Sequence, residues 1–187
     1  KTGVERVAYI NGAGDNVAEN IEALGVIVEK FDSEEITLEK LKSFDAVILG
    51  IRAFNVHESL SYKKNVLWKY AHQGGNLLIQ YNTSRGLKTR TITPYSIELS
   101  RDRITDENSK VKMLDIKHPL LNYPNKISLE DFEGWVQERG LYFPKQWDKN
   151  FSPLFEMSDP GEQPKRGALL VANYGEGKVV YTGLSFF

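Results

Sequence analysis

Gly74-Gly75-Asn76-Leu77-Leu78-Ile79-Gln80-Tyr81, running directly into Asn82-Thr83-Ser84-Arg85-Gly86, is the stretch on which the reading of this chain turns. A glycine pair ends a helical pattern, a β-prone run covers Asn76 to Tyr81, and a polar turn leaves it. The preceding helix is expected over Ser61 to His72, with Val66, Leu67 and Tyr70 turned inward. Before it, Ala46 to Leu49 (AVIL) is apolar throughout, as a strand covered on both faces must be. Leu38 to Leu41 predicts a short helix capped by Thr37. Val26 to Val28 reads as a strand, Asn16 to Leu24 as a helix stopped by Gly25, and Arg6 to Ile10 as the first strand. This alternation predicts an α/β fold, a doubly wound, mostly parallel sheet with right-handed crossovers.

Beyond the turn the pattern changes. From Leu87 to about Arg166, proline, asparagine and charged residues interrupt every apolar run. So long a stretch is not a structureless loop in a compact domain, and an ordered, irregular insertion folded over the strand ends is expected. Gly167 to Tyr174 and Lys178 to Thr182 then flank Gly175-Glu176-Gly177, which predicts a C-terminal β-hairpin. The 187 residues fit one domain carrying that insertion at about 87–166. Lys1 at one end, and the apolar run reaching Phe187 at the other, read as the cut ends of a longer chain.

Lysine and arginine total 24 against 25 aspartates and glutamates, a net charge of −1. No overall field favours nucleic acid or an anionic membrane, and neither is expected as a partner. No apolar run is long enough to span a bilayer. The chain has no cysteine, which excludes disulfides, thiolate metal sites and a thiol nucleophile together.

In an open parallel sheet, ligands bind beyond the carboxyl ends of the strands. The candidates are therefore Asn11 to Asp15, Arg52 to His57 and Asn82 to Gly86. Asn11-Gly12-Ala13-Gly14 only loosely resembles a phosphate-cradling turn, because the third glycine of G-x-G-x-x-G would fall at Val17. A tight turn is the better reading. At the next exit, Arg52 offers a planar cationic fork and Asn55 an amide, although Arg52 could equally pair with a carboxylate of the insertion. Ser84-Arg85-Gly86 matches the second half of G-x-S-x-G, with Asn82 in place of the first glycine. A nucleophilic Ser84 would need His118 or His57 as its base, while His72 reads as a helix-end dipole partner.

Within the insertion, Ser100-Arg101-Asp102-Arg103-Ile104-Thr105-Asp106-Glu107 reads first as a salt-bridge lattice. Its acids Asp102, Asp106 and Glu107 lack the spacing of a cation-binding loop, and no metal or cofactor is expected. The stretch from Asp131 to Pro144 interleaves Phe132, Trp135, Tyr142 and Phe143 with Glu133, Glu138 and Arg139. Rings beside carboxylates and guanidinium groups suit a sugar, and equally suit aromatic packing under ion pairs.

The first-half alternation, Gly-Gly-Asn-Leu-Leu-Ile-Gln-Tyr and the closing Val-Ala-Asn-Tyr-Gly-Glu-Gly-Lys-Val-Val-Tyr-Thr-Gly resemble flavodoxin-like, class I glutamine amidotransferase-like domains. The ThuA-like and trimerisation-domain branches are nearest. Gly-Ile-Arg-Ala-Phe-Asn, Ser-Arg-Asp-Arg-Ile-Thr-Asp-Glu and Asp-Phe-Glu-Gly-Trp-Val-Gln-Glu-Arg-Gly-Leu-Tyr-Phe-Pro look like the C-terminal region of large bacterial PIG-L-type (LmbE-like) deacetylases.

The resemblance implies a cysteine nucleophile at or near Asn82 to Ser84 and a partner histidine near Leu184-Ser185-Phe186-Phe187; this sequence has neither. It also lacks the deacetylase zinc string of His-Pro-Asp-Asp type, which His118-Pro119-Leu120 does not supply. The implied protein is a non-catalytic accessory domain of a sugar-directed deacetylase, periplasmic or secreted. It would bind a carbohydrate-like ligand or dock on the deacetylase domain of its own chain, through Arg52, Asn55, Asn82, Arg85, Arg101, Glu133, Trp135 and Arg139. Two alternatives stand beside it: a hydrolase using Ser84, and a homo-oligomerisation domain.

Overall fold

Along residues 6–10, Val7 and Tyr9 face one side of the backbone while Ala8 and Ile10 face the other, and all four are buried. A strand apolar on both faces must lie inside a layered α/β sheet. The computed structural model, which describes residues 3–186, has that architecture. β1 (Arg6–Ile10), α1 (Val17–Ala23), β2 (Ile27–Phe31), α2 (Leu38–Leu41), β3 (Ala46–Leu49), α3 (Ala53–Val56), α4 (Leu60–His72) and β4 (Asn76–Gln80) alternate through the first half. β5 (Ile97–Ile104), β6 (Val111–Met113), β7 (Gly140–Trp147), β8 (Ser152–Pro153) and β9 (Phe155–Met157) arise from the expected insertion. β10 (Leu169–Tyr174) and β11 (Gly177–Thr182) follow it.

The central sheet runs β2-β1-β3-β4-β11-β10-β8. Its first five strands pair in parallel; β10 and β8 add in antiparallel. The chain is thus an α/β protein with a doubly wound, mostly parallel sheet. Leu41, Leu60, Leu67 and Tyr70 cover one face, against Ala8, Ile10, Leu49 and Leu77. On the other face, Ala18 of α1 covers Val7, Tyr9 and Ile48, while Ile104, Phe143 and Phe155 of the insertion cover Val171. Each side has its own apolar layer, and the strands between them supply both.

Three local features differ from expectation. β2 continues past Val28 through Glu29 and Lys30, because an edge strand can leave polar side chains in solvent. Arg6 lies 3.6 Å and Lys40 3.8 Å from Glu29 there. The exit of β3 curls into α3 instead of remaining a loop. The segment read as an insertion also contributes β8 to the central sheet, beside the antiparallel pairs β5·β7 and β6·β9. Other signals read as expected. Thr37 Oγ1 accepts from Lys40 N at 3.2 Å, capping α2. The hairpin turns at Gly175-Glu176, where Gly175 takes the left-handed φ of 60° that a two-residue turn demands.

Candidate functional site

The strand order reverses between β1 and β3, where a ligand crevice is the rule for such sheets. Here that crevice is closed. Ala13 N donates to Ile51 O at 2.7 Å, and a side chain at Gly12 would run into the same carbonyl. Asn11–Gly14 is therefore a tight turn that exists to bring two backbones together. Beneath it, Asp15 accepts from Ile51 N (3.1 Å), from Val17 N (3.1 Å) and from the Tyr9 hydroxyl, which accepts in turn from Gln80 Nε2 (2.9 Å). Burial, followed by the Asp15 carboxylate, pushes the Tyr9 pKa far above its ordinary value.

An open cleft lies one strand further along, at the exits of β3 and β4. Two asparagines brace the turn after β4 that forms one of its walls. Buried Asn82 accepts from Phe54 N through Oδ1 (2.9 Å) and donates to Gln80 O through Nδ2 (2.9 Å). Asn55 accepts from Thr83 N (2.9 Å) and donates to Thr83 O (3.1 Å) and Arg85 O (2.9 Å). Both side chains hold the turn in shape and are occupied in doing so. Ser84 and Arg85 are left exposed on its outer side.

The cleft, about 620 Å³, is lined by Arg52, Arg85, Arg101 and Arg103 together with Tyr81 and Tyr142. Arg103 is neutralised by Glu138, with Nε 2.9 Å from Oε2. Among the described residues, Arg52, Arg85 and Arg101 have no carboxylate within ion-pair distance; the expectation that Arg52 might pair with the insertion is not met. The Tyr81 and Tyr142 rings stack at 6.0 Å with 27° between planes. Burial raises the Tyr81 pKa, against a lowering influence from Arg52.

Backbone irregularities deliver these side chains. In the β5·β7 pair, Leu99 opposes Pro144 and Asp102 opposes Phe143, so Ser100 and Arg101 bulge out of register. Ser100 Oγ replaces the lost ladder bonds, donating to Phe143 O (2.7 Å) and accepting from Asp102 N (2.8 Å). Arg103 then opposes Leu141, so Tyr142 is the extra residue of a second bulge, at φ 53°. Arg52 has φ 58°, its N–H drawn to Tyr81 O at 2.7 Å. These are the two non-glycine residues of positive φ among the described residues, and both line the cleft. Each conformation costs about 1 kcal/mol relative to glycine there.

The remaining candidates lie apart from this cleft or serve structure. His57 Nε2 contacts Asn11 O at 2.7 Å, and His118 Nδ1 accepts from Leu120 N at 3.2 Å. Among the described residues no hydrogen bond joins Ser84 to either histidine. Arg139 is 5% exposed, donates to Ser109 O (3.3 Å) and Phe132 O, and lies beside the rings of Phe132 and Trp135. Burial draws its pKa down while Asp106 and Glu107 oppose that shift. Trp135 stacks on Phe132 and donates to Glu138 O at 3.2 Å. Glu133 and Arg139 line a separate, smaller cleft.

The expected lattice in residues 100–107 does not form, because none of its acids pairs with its arginines among the described residues. Asp106 accepts from Asn108 N, and Thr105 and Ser109 turn instead to Asp159. Among the described residues no three histidines or acids gather to hold a metal ion. Where the resemblance places a partner histidine, Leu184 and Ser185 are buried and Ser185 N donates to Arg139 O at 3.1 Å; Phe187 lies outside the described residues. Sequence reasoning missed Tyr81, Arg103 and Tyr142 as cleft residues. The one available signal was Tyr81 standing at a strand exit.

By structure, a putative GMP synthase protein from Thermoplasma acidophilum superposes with a TM-score of 0.58 at 12% identity, over 98% of this chain and 85% of that one. The fold is class I glutamine amidotransferase-like. A putative ThuA-like protein of Bacteroides uniformis ATCC 8492 shares this glutamine amidotransferase-like fold at a TM-score of 0.54 and 13% identity, over 96% of this chain and 81% of that one. A cytoplasmic protein of Salmonella typhimurium LT2 shares it at 0.62 and 14% identity, over 96% and 88%. By sequence, neither a family model nor a curated protein matches the chain.

Proposed function

We propose that this glutamine amidotransferase-like chain is a non-catalytic, ligand-binding accessory domain belonging to a larger sugar-directed protein of the PIG-L/LmbE deacetylase type. The observation that carries the reading is the cleft at the β3 and β4 exits. It combines free guanidinium forks with aromatic rings and, among the described residues, has no nucleophile–base pair. A ring of Tyr142 type can stack on the C–H face of a sugar while arginines bond its oxygens. The link to a deacetylase rests on the sequence resemblance alone, as does the idea that the other domain of that chain is a partner.

The test is an NMR titration of the chain with N-acetylglucosamine, its oligomers and a panel of neutral and acidic saccharides. Shifts confined to residues 52, 84–86, 101 and 142, and abolished in Tyr142→Ala, are the expected result. A panel that perturbs nothing rejects the reading. Ester hydrolysis lost in Ser84→Ala would replace it with the hydrolase alternative.

A further inference from the structure

We infer that the ligand held in this cleft is a saccharide carrying a negative charge, a carboxylate or a phosphate, seated between Arg52, Arg85 and Arg101. This rests on the ligand-binding reading above and specifies its chemistry. The chain as a whole has a net charge of −1, so a concentration of positive charge at one place is not a consequence of composition. Four arginines line the cleft, no aspartate or glutamate does, and only Arg103 has a carboxylate partner among the described residues. Like charges gathered over a partly buried wall raise the local potential, and an anion relieves it.

The backbone adds a second argument, independent of charge. Arg52 occupies a left-handed conformation that glycine or asparagine would adopt more easily, and Tyr142 does the same within its bulge. Both non-glycine outliers among the described residues present side chains to the same cleft. Strain that a glycine would remove, kept at two positions facing one cavity, points to a demand for those two side chains. A third irregularity, the bulge at Ser100 and Arg101, turns another guanidinium to the same place. Guanidinium groups match the planar fork of a carboxylate or the oxygens of a phosphate, and the Tyr142 ring offers a face to the sugar. The volume, about 620 Å³, lies within the range of small-molecule sites.

Isothermal titration of the 187-residue chain with digalacturonic acid, glucose 6-phosphate and lactose tests this. One or both acids should bind, and lactose at least about ten-fold more weakly, the size of one lost charge-assisted contact. Affinity for the acids should fall as salt rises. Arg101→Ala and Arg52→Gly should each reduce it about ten-fold or more. Arg52→Gly should meanwhile keep or raise the melting temperature, which separates lost binding from lost folding. The acid that binds tighter identifies the source as a uronate or a sugar phosphate. Lactose binding as tightly as the acids, with both arginine variants unaffected, overturns the inference and leaves the ligand-binding reading standing. No binding by any of the three overturns both.

Discussion

Asn55 and Thr83 exchange two hydrogen bonds: Thr83 N donates to Asn55 Oδ1 at 2.9 Å, and Asn55 Nδ2 donates to Thr83 O at 3.1 Å. The side-chain amide behaves as a stretch of pairing strand, tying α3 to the turn after β4. That turn carries Ser84 and Arg85, so the pair controls the shape of the cleft as well as local stability. Asn55→Ala takes the amide partner from the half-buried Thr83 N–H and carbonyl, while Arg85 O keeps the Thr83 hydroxyl as donor, and should lower unfolding free energy by about 1–3 kcal/mol in urea titrations. Asn55→Asp should cost more, because a carboxylate would then face the Thr83 and Arg85 carbonyls. An unchanged midpoint for both variants would contradict this account of the turn.

Arg52 lends itself to a paired comparison. Ala at this position keeps the strained φ of 58°, whereas Gly relieves it. Arg52→Gly should therefore be about 1 kcal/mol more stable than Arg52→Ala, measured by urea denaturation under identical conditions. Equal stabilities would mean that the backbone relaxes out of the left-handed region once the side chain is removed.

Asp159 joins the two arms of the insertion. Burial works to raise its pKa, but hydrogen bonds from Thr105 Oγ1, Thr105 N, Asp106 N and Ser109 Oγ outweigh burial and hold it at about 2, below the ordinary 3.8. The folded-state pKa is depressed, so the stabilisation is fully present above 3.8 and is lost as pH falls towards 2. Asp159→Asn should cost roughly 1.5–3 kcal/mol at neutral pH, the range for hydrogen bonds to a charged group. The difference from the parent chain should shrink as the pH of the urea series is lowered through that window. A constant difference would show that the carboxylate charge is irrelevant there.

Tyr9 lies between Gln80 and Asp15 at the closed crevice. Burial first, and the Asp15 carboxylate second, raise its pKa above the ordinary 10. The unfolded chain releases that proton at lower pH than the folded one, so stability should decline as pH rises above about 10. Tyr9→Phe should remove part of this alkaline dependence. It should also cost roughly 2–3 kcal/mol at neutral pH, since Asp15 and Gln80 lose a shared partner. The part of the 295 nm tyrosinate absorbance that Tyr9→Phe removes should appear only with unfolding; its appearance in the folded chain would refute this order of events.

The layers of the sheet were legible in the sequence because they rest on local periodicity. Ala46 to Leu49 read as a buried strand, Asn76 to Tyr81 as a strand, and Gly175-Glu176-Gly177 as a hairpin turn, without reference to distant residues. Arg52, Arg85 and Arg101 could be singled out as polar residues at strand exits and in the insertion. Their meeting in one cleft could not, nor could the separation of Glu133, Trp135 and Arg139 from it. Asn55 and Asn82 looked like ligand contacts, and their partners are backbone groups that only the folded turn brings near.

By itself, then, the sequence determined the alternating sheet, the hairpin, the absence of a thiol nucleophile and the identity of the charged candidates. Tertiary structure alone decided where an opening exists. Gly12 and Ile51 close the crevice at β1 and β3, and register shifts along the β5·β7 pair turn out Arg101 and Tyr142. The left-handed turn at Arg52 depends likewise on a carbonyl at Tyr81, twenty-nine positions away in sequence. Periodicity within an element is written in neighbouring residues; register between elements depends on pairs that the chain brings together only on folding.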